Sequence, residues 1–198
     1  LATTDRLNSY LNYLIRRMQS MQLDQEFSKL IGTIYQGPME DTPWQGFLAL
    51  LREIMAAANT TLVLRPPSGQ HKGVMLTDGG SLEGIATYNE RLFVLDPFVG
   101  LQPGEVKSLL DFISEEDLLG SELYQVCMAP AGLFDSLGAD MTIDGDMEAR
   151  LRVARVKGAQ PFTESDRQLV ASIIPHLERA IVIHSRLNKI ESERALYA

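Results

Sequence analysis

Ala139-Asp140-Met141-Thr142-Ile143-Asp144-Gly145-Asp146-Met147-Glu148-Ala149-Arg150-Leu151-Arg152-Val153-Ala154-Arg155-Val156-Lys157 is the stretch that decides the fold. Residues 139–143 and 149–157 alternate between apolar and polar side chains, the two-residue period of a strand with one face against a core. Asp144-Gly145-Asp146 separates the two runs, and Asp-Gly is a strong hairpin signal because glycine accepts the positive φ of a tight turn. Upstream, Thr61-Leu62-Val63-Leu64, the turn Pro66-Pro67-Ser68-Gly69, and Gly73-Val74-Met75-Leu76-Thr77 before Asp78-Gly79-Gly80 read as a second hairpin.

Helices surround these hairpins. Leu7, Leu11, Leu14 and Met18 recur at helical spacing over 3–22, and Phe27, Leu30, Ile31 and Ile34 form a second run that stops at Gly37-Pro38. A third helix is expected with Thr42 as its cap, Pro43 in its first turn, and Trp44, Phe47, Leu48, Leu51, Ile54 and Met55 on one side. Between the hairpins the pattern predicts a helix over 81–93, an irregular loop from Asp96-Pro97-Phe98 to Gly104, and helical pieces from Val106 to Met128. The whole reads as an α+β domain: a central antiparallel sheet flanked by helices, with long N- and C-terminal helices. The terminal helices cover one face and 81–128 covers the other, leaving a cavity. The expected divisions are 1–38, N-terminal helices for packing or dimerisation; 39–162, the core; and 163–198, a long signalling helix.

Composition narrows the function. At 198 residues the chain holds one domain with a real core, and no run approaches the roughly 20 apolar residues of a membrane span. Eighteen basic against 26 acidic residues give a net charge of −8, a field that repels phosphate backbones, so nucleic acid is not an expected partner of this stretch. The single Cys127 excludes an intramolecular disulfide and a multi-cysteine metal site, which suits the cytoplasm. The chain opens on Leu1 without a leader, and both ends are read as open to continuation.

Catalytic chemistry is not visible. His71, His176 and His184 lack metal-ligand spacing, and there is neither a nucleophile elbow nor a phosphate-binding Gly-Lys-Ser/Thr loop. Asp140, Asp144, Asp146 and Glu148 lack the alternating calcium ladder and read as a turn. Glu115-Glu116-Asp117 follows Ser114 and reads as a capped first helical turn. Cys127, with no basic neighbour, reads as buried filler, and neither Asp96 nor His71 comes with an orienting partner. No catalytic residue, metal or cofactor is therefore expected.

What remains is the last stretch. Thr163 caps a helix that Glu164 and Asp166 favour at its positive end, and the periodicity runs almost to Tyr197, a rod of about 50 Å at about 1.5 Å per residue. Val170, Ile173, Leu177, Ala180, His184 and Leu187 follow steps of three and four and are expected to form a homodimer seam, with Pro175 bending the helix. Past Leu187 this seam would take Glu191 and Arg194 inside, whereas Ile183, Leu187, Ile190 and Tyr197 offer an adjacent one.

Phe162-Thr163-Glu164-Ser165-Asp166 with Leu169, then Pro175-His176-Leu177-Glu178-Arg179-Ala180, His184 and Arg186-Leu187, resembles the end of the sensor module of bacterial LuxR-type helix-turn-helix transcriptional regulators. Leu95-Asp96-Pro97-Phe98, Phe112 to Asp117 and Leu123-Tyr124 are similar to that family too, and the resemblance spans roughly residues 40 to 190. It implies a PAS/GAF-like sensor, homodimerisation, and a DNA-binding domain further along the polypeptide, absent from this stretch. The resemblance, not the composition, supplies transcription. It also extends to autoinducer-binding domains, in which an aspartate holds the ligand amide, and so implies Tyr88 and Asp96 as ligand contacts. Met75, Tyr88, Phe93, Phe98 and Tyr124 with the polar Asp96 and Arg152 have the composition of a small-molecule site, or of a filled core. The expected function is a dimeric cytoplasmic sensor that passes a small-molecule signal to a DNA-binding domain. The alternatives are a GAF-type regulatory module of a signalling enzyme and a purely structural dimerisation domain.

Overall fold

Residues 23–65, 73–80, 97–98, 101–143 and 147–196 are described by the computed structural model of the chain. The expected helices over 3–22 and 81–93, Asp96, and the tip of the later hairpin lie outside them. Helix α1 covers 23–36 and buries Leu30 and Ile34. The 3-10 turn Gly37–Met39 follows, with Gly37 against the Trp44 ring, where a Cβ has no room.

Helix α2, Gln45–Ile54, starts later than Thr42-Pro43 predicts. Trp44 is its N-cap in the left-handed region at φ 58°, with no capping side chain of its own. The reason is the burial of the indole: its Nε1 donates to the Ile34 carbonyl at 3.1 Å, fixing Trp44 against α1, while the Glu40 carboxylate accepts from the Gly46 amide in place of a cap. Of the expected stripe, Trp44, Phe47, Leu48, Leu51 and Met55 are buried and Ile54 is half-buried.

Among the described residues five antiparallel strands form the sheet in the order β2-β1-β5-β4-β3. They are β1, Asn59–Arg65; β2, Val74–Gly79; β3, Val106–Ser108; β4, Leu133–Ile143; and β5, Met147–Val156. Two corrections follow. Val106 to Ser108 is an edge strand rather than a helical piece, and β4 begins six residues before the alternating run at Ala139, with a bulge between Leu133 and Asp135. The bulge breaks the two-residue period that sequence reading depends on. Between β3 and β4 lie a 3-10 turn, Leu109–Asp111; helix α3, Glu115–Gly120; and a π-helical turn, Leu123–Met128. Ser114 caps α3 as expected, its hydroxyl accepting from the Asp117 amide at 3.1 Å, and Cys127 is buried.

Paired residues in a sheet share a face. On the inner face Leu62, Leu137, Ala139, Met141, Leu151 and Val153 are all at most 1% exposed, and α1, α2 and helix α4, Glu164–Leu196, pack on them. Thr163 caps α4 in a reciprocal pair: its amide donates to the Asp166 carboxylate at 2.7 Å, and its hydroxyl accepts from the Asp166 amide at 3.2 Å. Arg155 ties this helix start to the sheet. Its guanidinium donates to the carbonyls of Met55, Gln160 and Pro161 and pairs with Asp166.

Candidate functional site

The inner face is filled by side chains, and the candidates Met75 and Arg152 stand on the second face. Alternation along the strands gives that face Asn59, Thr61, Val63 and Arg65 from β1, Met75 and Thr77 from β2, Gly138 and Asp140 from β4, and Arg150 and Arg152 from β5. Arg152 is buried at the centre. Its Nη1 donates to Asp140 at 2.7 Å and to the Ala139 and Leu151 carbonyls. Arg150 pairs with Glu148 at 3.1 Å. Asn59, Thr61 and Thr77 are linked by hydrogen bonds of 2.9 to 3.2 Å, with the Asn59 amide donating to Thr77 Oγ1 and Thr61 Oγ1 donating to Asn59 Oδ1.

Phe98 packs against Arg152, its ring centre 4.5 Å from the guanidinium carbon. It occupies the space a side chain at Gly138 would need. Phe98 anchors a second apolar cluster with Leu109, Leu118, Met128 and Phe134, against which Tyr124 packs edge-on to Phe134 at 6.1 Å. The structure therefore brings Phe98 and Arg152 into contact and joins Tyr124 to the Phe98 cluster. Met75 shares the face but stands on the outermost strand, paired with Val63. Tyr88, Phe93 and Asp96 lie outside the described residues.

Contacts lead from this face to α4. Phe98 meets Phe112 edge-on at 5.6 Å; the preceding residue, Asp111, accepts two hydrogen bonds from Arg167 of α4, at 2.7 and 3.1 Å. Burial pushes the Asp111 carboxyl up, but the Ser108 amide, Arg167 and Lys107 outweigh it and hold its pKa below the usual aspartate range. Nearby Asp135 accepts the Ser108 hydroxyl at 2.8 Å, and burial raises its pKa despite that bond. Sequence reading missed Ser108, Asp111, Asp135 and Arg167, which come together only through the pairing of β3 with β4 and its neighbouring turn.

The expected seam needs correction. Val170, Ile173, Leu177 and Ala180 are at most 1% exposed and belong to the chain's own core, because α4 lies on the inner face of the sheet and spends that stripe there. His184 stands edge-on to Trp44 at 5.0 Å, and its Nε2 bonds the Asn188 amide. Of the six, Leu187 is the exposed member; with Ile183 and Ile190, each 42 to 46% exposed, it forms the adjacent stripe. An open groove of about 490 Å³, lined by Thr142, Ile143, Glu178, Arg179, Val182 and Ile183, adjoins that stripe.

Sheet, flanking helices and long C-terminal helix together define the α+β fold of PAS/GAF-like sensor domains. Solved structures carry it in both branches named by the sequence resemblance. The chain is similar to the VqsR ligand-binding domain from Pseudomonas aeruginosa, with a TM-score of 0.57 and 16% identity over 83% of this chain and 97% of that one. It is similar to CepR2 from Burkholderia cenocepacia, an N-acylhomoserine lactone dependent LuxR-family transcription factor, with a TM-score of 0.52 and 11% identity over 78% and 92% of the two chains. It is also similar to the GAF domain of a putative sensor histidine kinase from Pseudomonas syringae pv. tomato, with a TM-score of 0.54 and 13% identity over 89% and 99%. At these identities the likeness is one of fold. No family model matches the sequence, and no curated protein matches it.

Proposed function

We propose that the chain is the regulatory sensor of a cytoplasmic transcription factor, that it is not an enzyme, and that it binds a small-molecule signal on the second face of the sheet. Dimerised α4 helices pass the signal to a DNA-binding domain. The observation that carries this reading is the contact chain from Arg152 through Phe98 and Phe112 to the Asp111–Arg167 pair, which links the sheet face to the first turn of α4. A ligand shifts such an equilibrium only by binding one packing better than the other, so contact with Phe98 or Arg152 is where differential affinity would enter. The free stripe of Ile183, Leu187 and Ile190 supports pairing of two α4 helices along the adjacent seam.

Native mass spectrometry on the protein purified from bacterial cytosol tests the reading. The expected species is twice 22.0 kDa and retains a small-molecule mass. A bare monomer at high micromolar concentration would overturn it. The GAF likeness favours a second reading, a regulatory module of a signalling enzyme, at a TM-score of 0.54 beside 0.57 for VqsR. The polypeptide encoded past residue 198 separates the two: a helix-turn-helix in one case, a catalytic module in the other.

A further inference from the structure

We propose that the second face of the sheet takes a small organic anion, presenting a carboxylate or phosphate group, on a polar row that crosses all five strands. The inference rests on the sensor reading above and names the chemistry of its ligand. The register aligns Lys107 of β3, Gly138 of β4, Arg152 of β5, Thr61 of β1 and Thr77 of β2 side by side. Beside that row run Asp140, Arg150, Val63 and Met75, and Arg65 follows next to Glu148. Among the described residues the face thus carries four cations, Lys107, Arg152, Arg150 and Arg65, against the carboxylates Asp140 and Glu148, with Asp111 close enough to Lys107 to feel its charge.

Positive excess on this one face stands out in a chain whose net charge is −8. The guanidinium groups have partners within the chain, and what a ligand meets is the surplus of charge they leave. Burial, and after it the neighbouring Arg150, lower the Arg65 pKa, while Glu148 raises it. Phe98, seated over Gly138, packs against the Arg152 guanidinium and helps fix it, and a fixed guanidinium suits pairing with a carboxylate or phosphate. Thr61, Thr77 and Asn59 continue the row with hydroxyl and amide groups.

Isothermal titration of the purified protein with succinate, benzoate, glucose 6-phosphate, inorganic phosphate and the neutral N-octanoyl-homoserine lactone decides the matter. At least one of the anions is expected to bind, with affinity falling about tenfold in Arg152→Gln and in Lys107→Gln. The pattern across carboxylates and phosphates assigns the group. If Arg152→Gln does not fold, Lys107→Gln at the sheet edge and Thr61→Val carry the test. Anion binding left unchanged in the foldable variants overturns the proposal. Binding of the lactone alone also overturns it but leaves the sensor reading standing; if none of the five binds and no small molecule is retained on purification, both fall.

Discussion

A Cβ at Gly138 would stand 2.7 Å from the edge of the Phe98 ring. That ring is held between Arg152 and Phe112, so it has no cheap way to yield. Gly138→Val is expected to cost about 1–3 kcal/mol by overpacking, read from urea unfolding, and to weaken ligand binding by shifting Phe98. The two perturbed aspartates respond to pH with opposite signs. Asp135 has a folded pKa above its ordinary value, so its favourable contribution is present at low pH and lost as pH rises through the folded pKa. Asp111 has a folded pKa below its ordinary value, and its contribution is lost as pH falls through that depressed value. Urea midpoints across the acid range are expected to lose the first effect in Asp135→Asn and the second in Asp111→Asn; unchanged profiles would remove these residues from the account of acid stability.

At the scale of the element, α4 carries two stripes with different employment. Leu177 is 0% exposed, so Leu177→Ala is expected to cost about 2–5 kcal/mol within a single chain, and its replacement by aspartate would unfold the domain rather than report on assembly. Leu187 is 42% exposed, and Leu187→Asp is expected to keep stability within about 0.5 kcal/mol while halving the mass seen in sedimentation. A dimer that survives this substitution would move the interface elsewhere. Arg155 ties the base of the same helix to α2 and the sheet. Arg155→Met leaves Asp166 without that partner and frees the Met55 carbonyl, at an expected cost of about 3 kcal/mol and with faster hydrogen exchange in the first turn of α4.

For the whole molecule, the hairpins and the long helix were legible because alternation, Asp-Gly and the Thr163 cap are local signals. β3 was not, since Val106-Lys107-Ser108 is too short to show a period and is a strand only through its bonds to β4. Steps of three and four along α4 reveal an apolar stripe but cannot say whether the chain's own sheet or a second copy meets it, and the sheet took it. Phe98 and Arg152 stood out by residue type, but their contact and the polar row depend on strand register, which no local pattern encodes. The long helix adds a mechanical consequence. His184 still touches the domain through Trp44, and the helix continues to Leu196, about 18 Å further at about 1.5 Å per residue. With the fulcrum at His184, a tilt of about 5° at the sheet swings the tip by about 1.6 Å. Movements too small to alter the core are thus magnified at the far end, and what leaves the domain is an angle.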